Sequence, residues 1–359
     1  MKPIKLAIAS CNHGHAKGYY NPDPTLFELV AVSIAPKDHP KAFIEQLKGI
    51  QIYDNLKQML DARPDIEAVV MASANYEHYD QFKTLTQYKK HILSMKVPTF
   101  DLEENDQIIN MVNKSKMVCQ VELELRYSSE LCRIRELICS KKLGKILSVQ
   151  ATNLSHNPMS WQEWHGIPEQ SYGKRIPLRI GDKRFRGGAL ADHPHIFDIM
   201  RFVLNADFET VFAEVAPNIR PNMQEEDMLS IIGRMDNGIA FSLDPSFSRT
   251  ENPLPVIGPG WEKYPKRVEV TLNIQGDKGS IIADIFAPNV YHTCTPAGNY
   301  VVNRTPNYEG AGSSLILNAF YDSIRKGMKP TVTLSEHRRT IEVINACYES
   351  IYKGKPVNF

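Results

Sequence analysis

Ile4-Lys5-Leu6-Ala7-Ile8-Ala9-Ser10-Cys11-Asn12-His13-Gly14-His15 opens the chain with a mostly apolar run that ends in a polar, turn-forming cluster. A strand that is apolar on both faces belongs inside a sheet covered on both sides, the usual situation of parallel strands. Leu29 to Ile34 and Ala68-Val69-Val70-Met71-Ala72 repeat the pattern, and His91-Ile92-Leu93-Ser94-Met95-Lys96-Val97-Pro98 continues it, with helical spacing between the runs. This alternation predicts a doubly wound parallel sheet whose ligand lies beyond the carboxyl ends of its strands. At the first strand-to-helix turn of such a sheet, three glycines normally let the backbone turn tightly and approach a pyrophosphate. Here the three positions read Ser10, Asn12 and His15. Asn12 tolerates the left-handed region, Gly14 adds local freedom, and Ala16 is small enough for close helix packing. The expectation is a variant nucleotide-binding turn made by Ser10, Asn12, His13 and Gly14.

The second strand of a dinucleotide-binding sheet normally ends in an acid that holds the adenosine ribose, yet Val32-Ser33-Ile34-Ala35-Pro36 has Ala35 there. Asp38, three residues on, reads as the cap of a helix opened by His39-Pro40-Lys41. With the acid gone and Lys37 close by, NAD and NADP both stay open as cofactor. Asn75 and His78 follow the third strand and Lys96 follows the next, so all three sit at the ligand edge, Asn75 and His78 as expected cofactor contacts. Partial burial of Lys96 between Met95 and Val97 would suit proton shuttling, and equally suits a lysine that snorkels from an apolar strand.

From Ile146 the pattern changes to alternation, as in Ile146-Leu147-Ser148-Val149-Gln150-Ala151, Met228 to Arg234, Ile239 to Leu243 and Arg267 to Ile274. Alternation suits an antiparallel sheet with one covered face. We therefore expect an α/β Rossmann domain over residues 1–124, then an α+β substrate-binding and oligomerisation domain over residues 125–359 with a large, mostly antiparallel open sheet. A chain of 359 residues, 42% hydrophobic and 23% charged, can bury two such cores. The formal net charge of +1 gives nucleic acid and anionic membrane surfaces nothing to act on. Six cysteines without paired spacing fit the reducing cytoplasm. No apolar run approaches membrane-spanning length, and the first strand follows Met1 too closely for a signal peptide.

Arg186-Gly187-Gly188-Ala189-Leu190-Ala191-Asp192-His193-Pro194-His195-Ile196-Phe197-Asp198-Ile199-Met200 marks the second half of the site. Ile196, Ile199, Met200 and Val203 follow the rhythm of a helix that buries one face. Asp192 stands where an N-cap belongs, and Pro194 fits the first turn. Two imidazoles and a carboxylate thus gather at a helix N-terminus, whose partial positive charge favours neutral histidine able to accept a proton.

Taken together, Asn75-Tyr76-Glu77-His78, Met95-Lys96-Val97, Arg126-Tyr127, Gly187-Gly188, Asp192, His195-x-x-Asp198, Gly276-Asp277-Lys278-Gly279-Ser280 and the ending Glu336 to Val357 resemble the Gfo/Idh/MocA oxidoreductases over nearly the whole length. The resemblance implies an NAD- or NADP-dependent dehydrogenase or reductase acting on a secondary hydroxyl of a sugar, cyclitol or glycoside. It implies Lys96, Asp192 and His195 as the catalytic group, with the histidine as general base. Met95 and Val97 replace the family's Glu and Pro around the lysine. The family's usual three residues between Asp and His are here two, His193 and Pro194, so either His193 or His195 can face the substrate. The kept His-x-x-Asp spacing favours His195. Same-fold alternatives are a lyase, epimerase or glycosidase with a bound cofactor or metal, and a non-catalytic ligand sensor.

Substrate contacts are expected from Glu122 and Glu124, which share a face near the domain junction, and from Arg126, His193, Trp164 and His165. Trp164 and His165 lie in a loop-like, basic and aromatic stretch whose indoles suit sugar C-H faces and equally suit a subunit interface. A metal set drawn from Asp192, His193, His195, His165, Glu122 and Glu124 matches no closed spacing, so no metal ligand is assigned. The expected partners are a small carbohydrate or polyol and further copies of the chain, as a homodimer or homotetramer.

Overall fold

The computed structural model describes residues 2–11, 13–34, 47, 49–155, 188–218, 226–248, 269–285, 289–294, 300–303 and 308–359. Asn12, Trp164 and His165 lie outside the described residues.

The N-terminal sheet consists of β1 (Ile4–Ala9), β2 (Phe27–Ser33), β3 (Gln51–Tyr53), β4 (Ala68–Met71), β5 (His91–Ser94) and β6 (Cys119–Val121). All of its pairings are parallel, in the order β3-β2-β1-β4-β5-β6. The order reverses between β1 and β4, and a ligand crevice belongs outside the carboxyl ends at such a reversal. Helices α1 (Leu56–Ala62), α2 (Asn75–Gln87) and α3 (Leu102–Ser115) follow β3, β4 and β5. The residues of β1 divide between two cores: Ala7 and Ala9 pack with Met59, Phe82 and Leu85, whereas Ile4, Leu6 and Ile8 pack with Phe27 and Leu93.

Two helices lead into the second domain, α4 (Ser129–Cys139) and, past a short turn of helix α5 (Ala189–Asp192), α6 (Pro194–Leu204). The second sheet takes β7 (Ile146–Leu154), β8 (Phe208–Val215), β9 (Leu229–Met235), β10 (Ala240–Asp244), β11 (Glu269–Gly276), β12 (Gly279–Asp284), β13 (Asn289–Cys294), β14 (Tyr300–Asn303) and the terminal β15 (Val357–Asn358). Its nine strands run β14-β13-β12-β11-β7-β10-β9-β8-β15, antiparallel except where β10 meets β7. This is the large, mostly antiparallel sheet expected. One face buries Val149, Ala151, Ile231, Leu243 and Leu272 against α6 and α8 (Leu334–Lys353). The other face exposes Ile232 and Ile282.

A helix late in the chain returns to the first domain. On α7 (Tyr308–Lys326), the side chains of Ile316, Leu317, Phe320 and Tyr321 complete the core that Ile4, Leu6 and Ile8 begin. Phe320 stacks on Phe27 with ring centroids 6.4 Å apart. Each such buried side chain stabilises the first domain by about 1.5–3 kcal/mol. Among the described residues no helix is long and apolar enough to cross a membrane.

Candidate active site

The helix start around Asp192 differs from the sequence expectation. Ala189–Asp192 forms its own helical turn, His193 breaks it at φ −106° and ψ 48°, and the longer helix begins at Pro194. Asp192 therefore ends one helix instead of capping the next. The cap of the short helix comes from far along the chain: Glu226 accepts the Ala189 N–H at its carbonyl (2.9 Å) and the Leu190 N–H at Oε1 (3.1 Å). Gly188 makes this possible, because at φ +121° and pressed against the Glu226 carboxylate it has no room for a Cβ.

Turning Asp192 out of a cap leaves it beside the lysine. Lys96 Nζ donates to the Asp192 carbonyl at 3.0 Å and lies 3.5 Å from Asp192 Oδ1, with both side chains about nine-tenths buried. The turn carrying Lys96 is braced by His78, whose Nδ1 and Nε2 lie 2.9 and 3.1 Å from the carbonyl oxygens of Val97 and Ser73. Asn75 opens α2 beside a small hollow shared with Tyr76, Thr99, Phe100 and Glu104. In the first turn of α6, His195 is buried, with its Nε2 3.7 Å from Glu124 Oε1. Burial holds the His195 pKa down to about 3, with Lys96 and His15 acting in the same direction and Glu124 and Asp192 opposing. The largest cause of the lowering is loss of solvent, where the sequence pointed to the helix dipole.

His15 reaches the same place from the other side. Its Nδ1 lies 2.9 Å from Glu122 Oε1 and 4.0 Å from Glu124 Oε2. Two strands separate β1 from β6, and at about 4.8 Å per step that is some 14 Å of sheet edge. The His15 side chain thus lies across the carboxyl edge instead of staying at its own turn. Burial alone would lower its pKa, but the Glu122 and Glu124 carboxylates overcome this and raise it to about 9. Sequence reading named both acids and missed His15 as their partner, a contact 107 residues long-range.

Other expected contacts point elsewhere. His193 places Nδ1 2.8 Å from the Ala189 carbonyl and 2.9 Å from that of Pro245, and Nε2 3.1 Å from Ser155 Oγ. These bonds tie α5 to the second sheet and occupy both ring nitrogens, so of the two histidines it is His195 that stands beside Glu124. Arg126 is buried in a bidentate pair with Asp198 (2.6 and 2.7 Å) and in a second pair with Glu336 at 2.7 Å. Its guanidinium joins α6 to α8, and Asp198 of the His-x-x-Asp spacing is its anchor.

The nucleotide turn departs from the glycine fingerprint in residue type, and a 3-10 turn stands where the sequence predicts a helix after β1. Ser10 adopts φ +67°, the left-handed conformation for which the fingerprint uses glycine. His13 donates its N–H to the Ala72 carbonyl at 3.0 Å, tying the turn to the end of β4. The 3-10 turn Gly14–Tyr19 follows, and buried Ala16 packs where a small residue is needed. Strand order, the left-handed Ser10 and Ala16 together fit a dinucleotide at this turn.

Residues 9–123 match the NAD-binding Rossmann-fold domain of the Gfo/Idh/MocA oxidoreductase family, and residues 135–359 match its C-terminal alpha/beta domain. The chain belongs to this family and is an enzyme of the NAD(P)-dependent dehydrogenase type. It is 24% identical over 305 residues to the uncharacterized oxidoreductase YrbE of Bacillus subtilis, covering 82% of this chain and 79% of that protein. It is 21% identical over 340 residues to the myo-inositol 2-dehydrogenase of Thermotoga maritima, covering 92% and 90%. An inositol dehydrogenase homolog from Azotobacter vinelandii, crystallised with NADH and myo-inositol, superposes with a TM-score of 0.78 at 15% identity, over 100% of this chain and 98% of that one.

Proposed function

We propose that this enzyme oxidises a secondary hydroxyl of a sugar, cyclitol or glycoside, or reduces the corresponding ketone, with Lys96, Asp192 and His195 around the reacting carbon. The observation that carries the reading is the meeting of Lys96 with Asp192 at the carboxyl edge, with His195 buried nearby. A bound nicotinamide would supply the hydride acceptor. Ser10 and His13 at the nucleotide turn, with Asn75 at the neighbouring strand end, are the residues placed to hold it.

His195 stands to take the hydroxyl proton as the C–H bond is broken, which avoids a free alkoxide, and the Glu124 carboxylate 3.7 Å away offsets the charge the imidazole then carries against its burial. Lys96, held by Asp192, keeps an ammonium near the oxygen where negative charge develops, and its buried setting strengthens that interaction. Asp192 and the His78 brace hold the lysine in place before substrate arrives, so little ordering remains to be done at the moment of reaction. Glu122 and Glu124 offer acceptors for neighbouring sugar hydroxyls. The relatives named for inositol oxidation support a polyol substrate class.

The test is reduction of NAD+ or NADP+, followed by absorbance, across a panel of inositols, hexoses and glycosides. Lys96→Met and His195→Asn should each lower kcat by about 10²–10⁴-fold, the usual worth of a positioned proton-transfer group. If no polyol reduces either nicotinamide, or both variants keep the wild-type rate, the reading is wrong.

A further inference from the structure

We propose that His15, Glu122 and Glu124 form a binding site for one divalent cation of the Zn2+ or Mn2+ type, at the carboxyl edge of the N-terminal sheet. One nitrogen and carboxylate oxygens from these three residues all lie within 4.8 Å of one another. His15 Nδ1 stands 2.9 Å from Glu122 Oε1 and 4.0 Å from Glu124 Oε2. A cation about 2.0–2.2 Å from each of three ligands separates them by roughly 3–4.4 Å, so small side-chain rotations bring all three into coordination.

An independent observation points to the same ligand. Glu122 is 1% exposed, and among the described residues neither its Oε2 nor the buried Oε2 of Glu124 has a hydrogen-bond partner. A carboxylate oxygen withdrawn from water without a donor is costly, and native structures rarely leave one so. Of these two, Glu124 Oε2 lies 4.0 Å from the His15 imidazole, and a dication bound between the three side chains would offset the charge that both carboxylates carry. Imidazole with carboxylate selects Zn2+ or Mn2+ over softer or all-oxygen ions.

The surroundings already hold the ligands in place. Tyr19 Oη donates to Glu122 Oε1 at 3.4 Å, and the His15 N–H donates to His13 Nδ1 at 3.2 Å. The His13 ring meets the His15 ring edge-on at 4.8 Å. Neighbours of this kind orient metal ligands. Three protein ligands leave coordination positions open, and His195 adjoins them through Glu124. An oxygen-rich substrate such as a vicinal diol would complete the shell there. Cation binding itself does not rest on the redox reading, because it is measured without substrate or nicotinamide.

The experiment is calorimetric titration of chelator-treated full-length protein with ZnCl2 and, separately, MnCl2, with metal content by mass spectrometry after desalting. Wild type should bind about one equivalent of at least one cation, as a single three-ligand site requires. Glu122→Gln and His15→Phe should weaken it more than about 100-fold, since losing even a supporting neighbour costs about 10–100-fold. Metal-free melting curves confirm that each variant is folded. Absence of binding of either cation to wild type overturns the proposal, and so does a folded Glu122→Gln protein that binds as tightly as wild type.

Discussion

Replacing Arg126 with methionine should leave Asp198 as an uncompensated charge in the interior. Asp198 is 2% exposed, and both its oxygens are taken by the guanidinium at 2.6 and 2.7 Å. Breaking a buried pair from one side costs about 3–5 kcal/mol. Glu336, with its side chain 30% exposed, recovers water when its partner goes, so its pair adds under about 1 kcal/mol. At about 2–4 °C per kcal/mol for a domain of this size, the melting temperature should fall by roughly 6–20 °C. Scanning calorimetry of wild type and Arg126→Met measures this. The double variant Arg126→Met with Asp198→Leu should recover much of the loss, because an apolar replacement removes the stranded charge. If Arg126→Met instead melts within about 2 °C of wild type while KM for substrate rises, the buried-pair reasoning is refuted and the arginine binds substrate.

Two further outcomes are expected. Gly188→Ala places a Cβ against the Glu226 carboxylate at φ +121°, which displaces the group that caps Ala189–Asp192. Stability should drop by about 1–3 kcal/mol and kcat should fall with it, as Asp192 shifts from Lys96; an unchanged denaturation midpoint would count against this. Acid should also destabilise the fold. Burial, aided by Arg126 and Arg201, lowers the His337 pKa from 6.5 to about 3, and burial lowers that of His193. Because the unfolded chain takes up these protons below pH 6.5 and the folded chain does not, stability is lost as pH falls from 6.5 toward 3. For His337 the loss is about 1.4 kcal/mol per pH unit. A melting temperature that stays flat from pH 7 to pH 5 would contradict it.

The parallel sheet was legible because Ile4, Leu6 and Ile8 serve one core while Ala7 and Ala9 serve another, so the strand had to be apolar throughout. The meeting of Lys96 with Asp192 was reached through family resemblance more than through chemistry. Local spacing misplaced the helix start, since a cap pattern at Asp192 is indistinguishable in sequence from the end of a preceding turn. The true cap, Glu226, carries no local signal. Arg126 reads as a substrate contact for a similar reason: a lone charge in a sequence does not show the partner that neutralises it. The contact of His15 with Glu122 depends on how far a side chain crosses the strand ends, which periodicity does not encode.

The helix Tyr308–Lys326 imposes an order on biosynthesis. Phe27 emerges from the ribosome well before its stacking partner Phe320. Until then one side of the earlier-made sheet stays wet, so the nucleotide-binding half reaches its final stability only after the helix carrying Phe320 has been made. Native closure of that half therefore waits on synthesis of strands β7 to β14, which precede this helix in the chain.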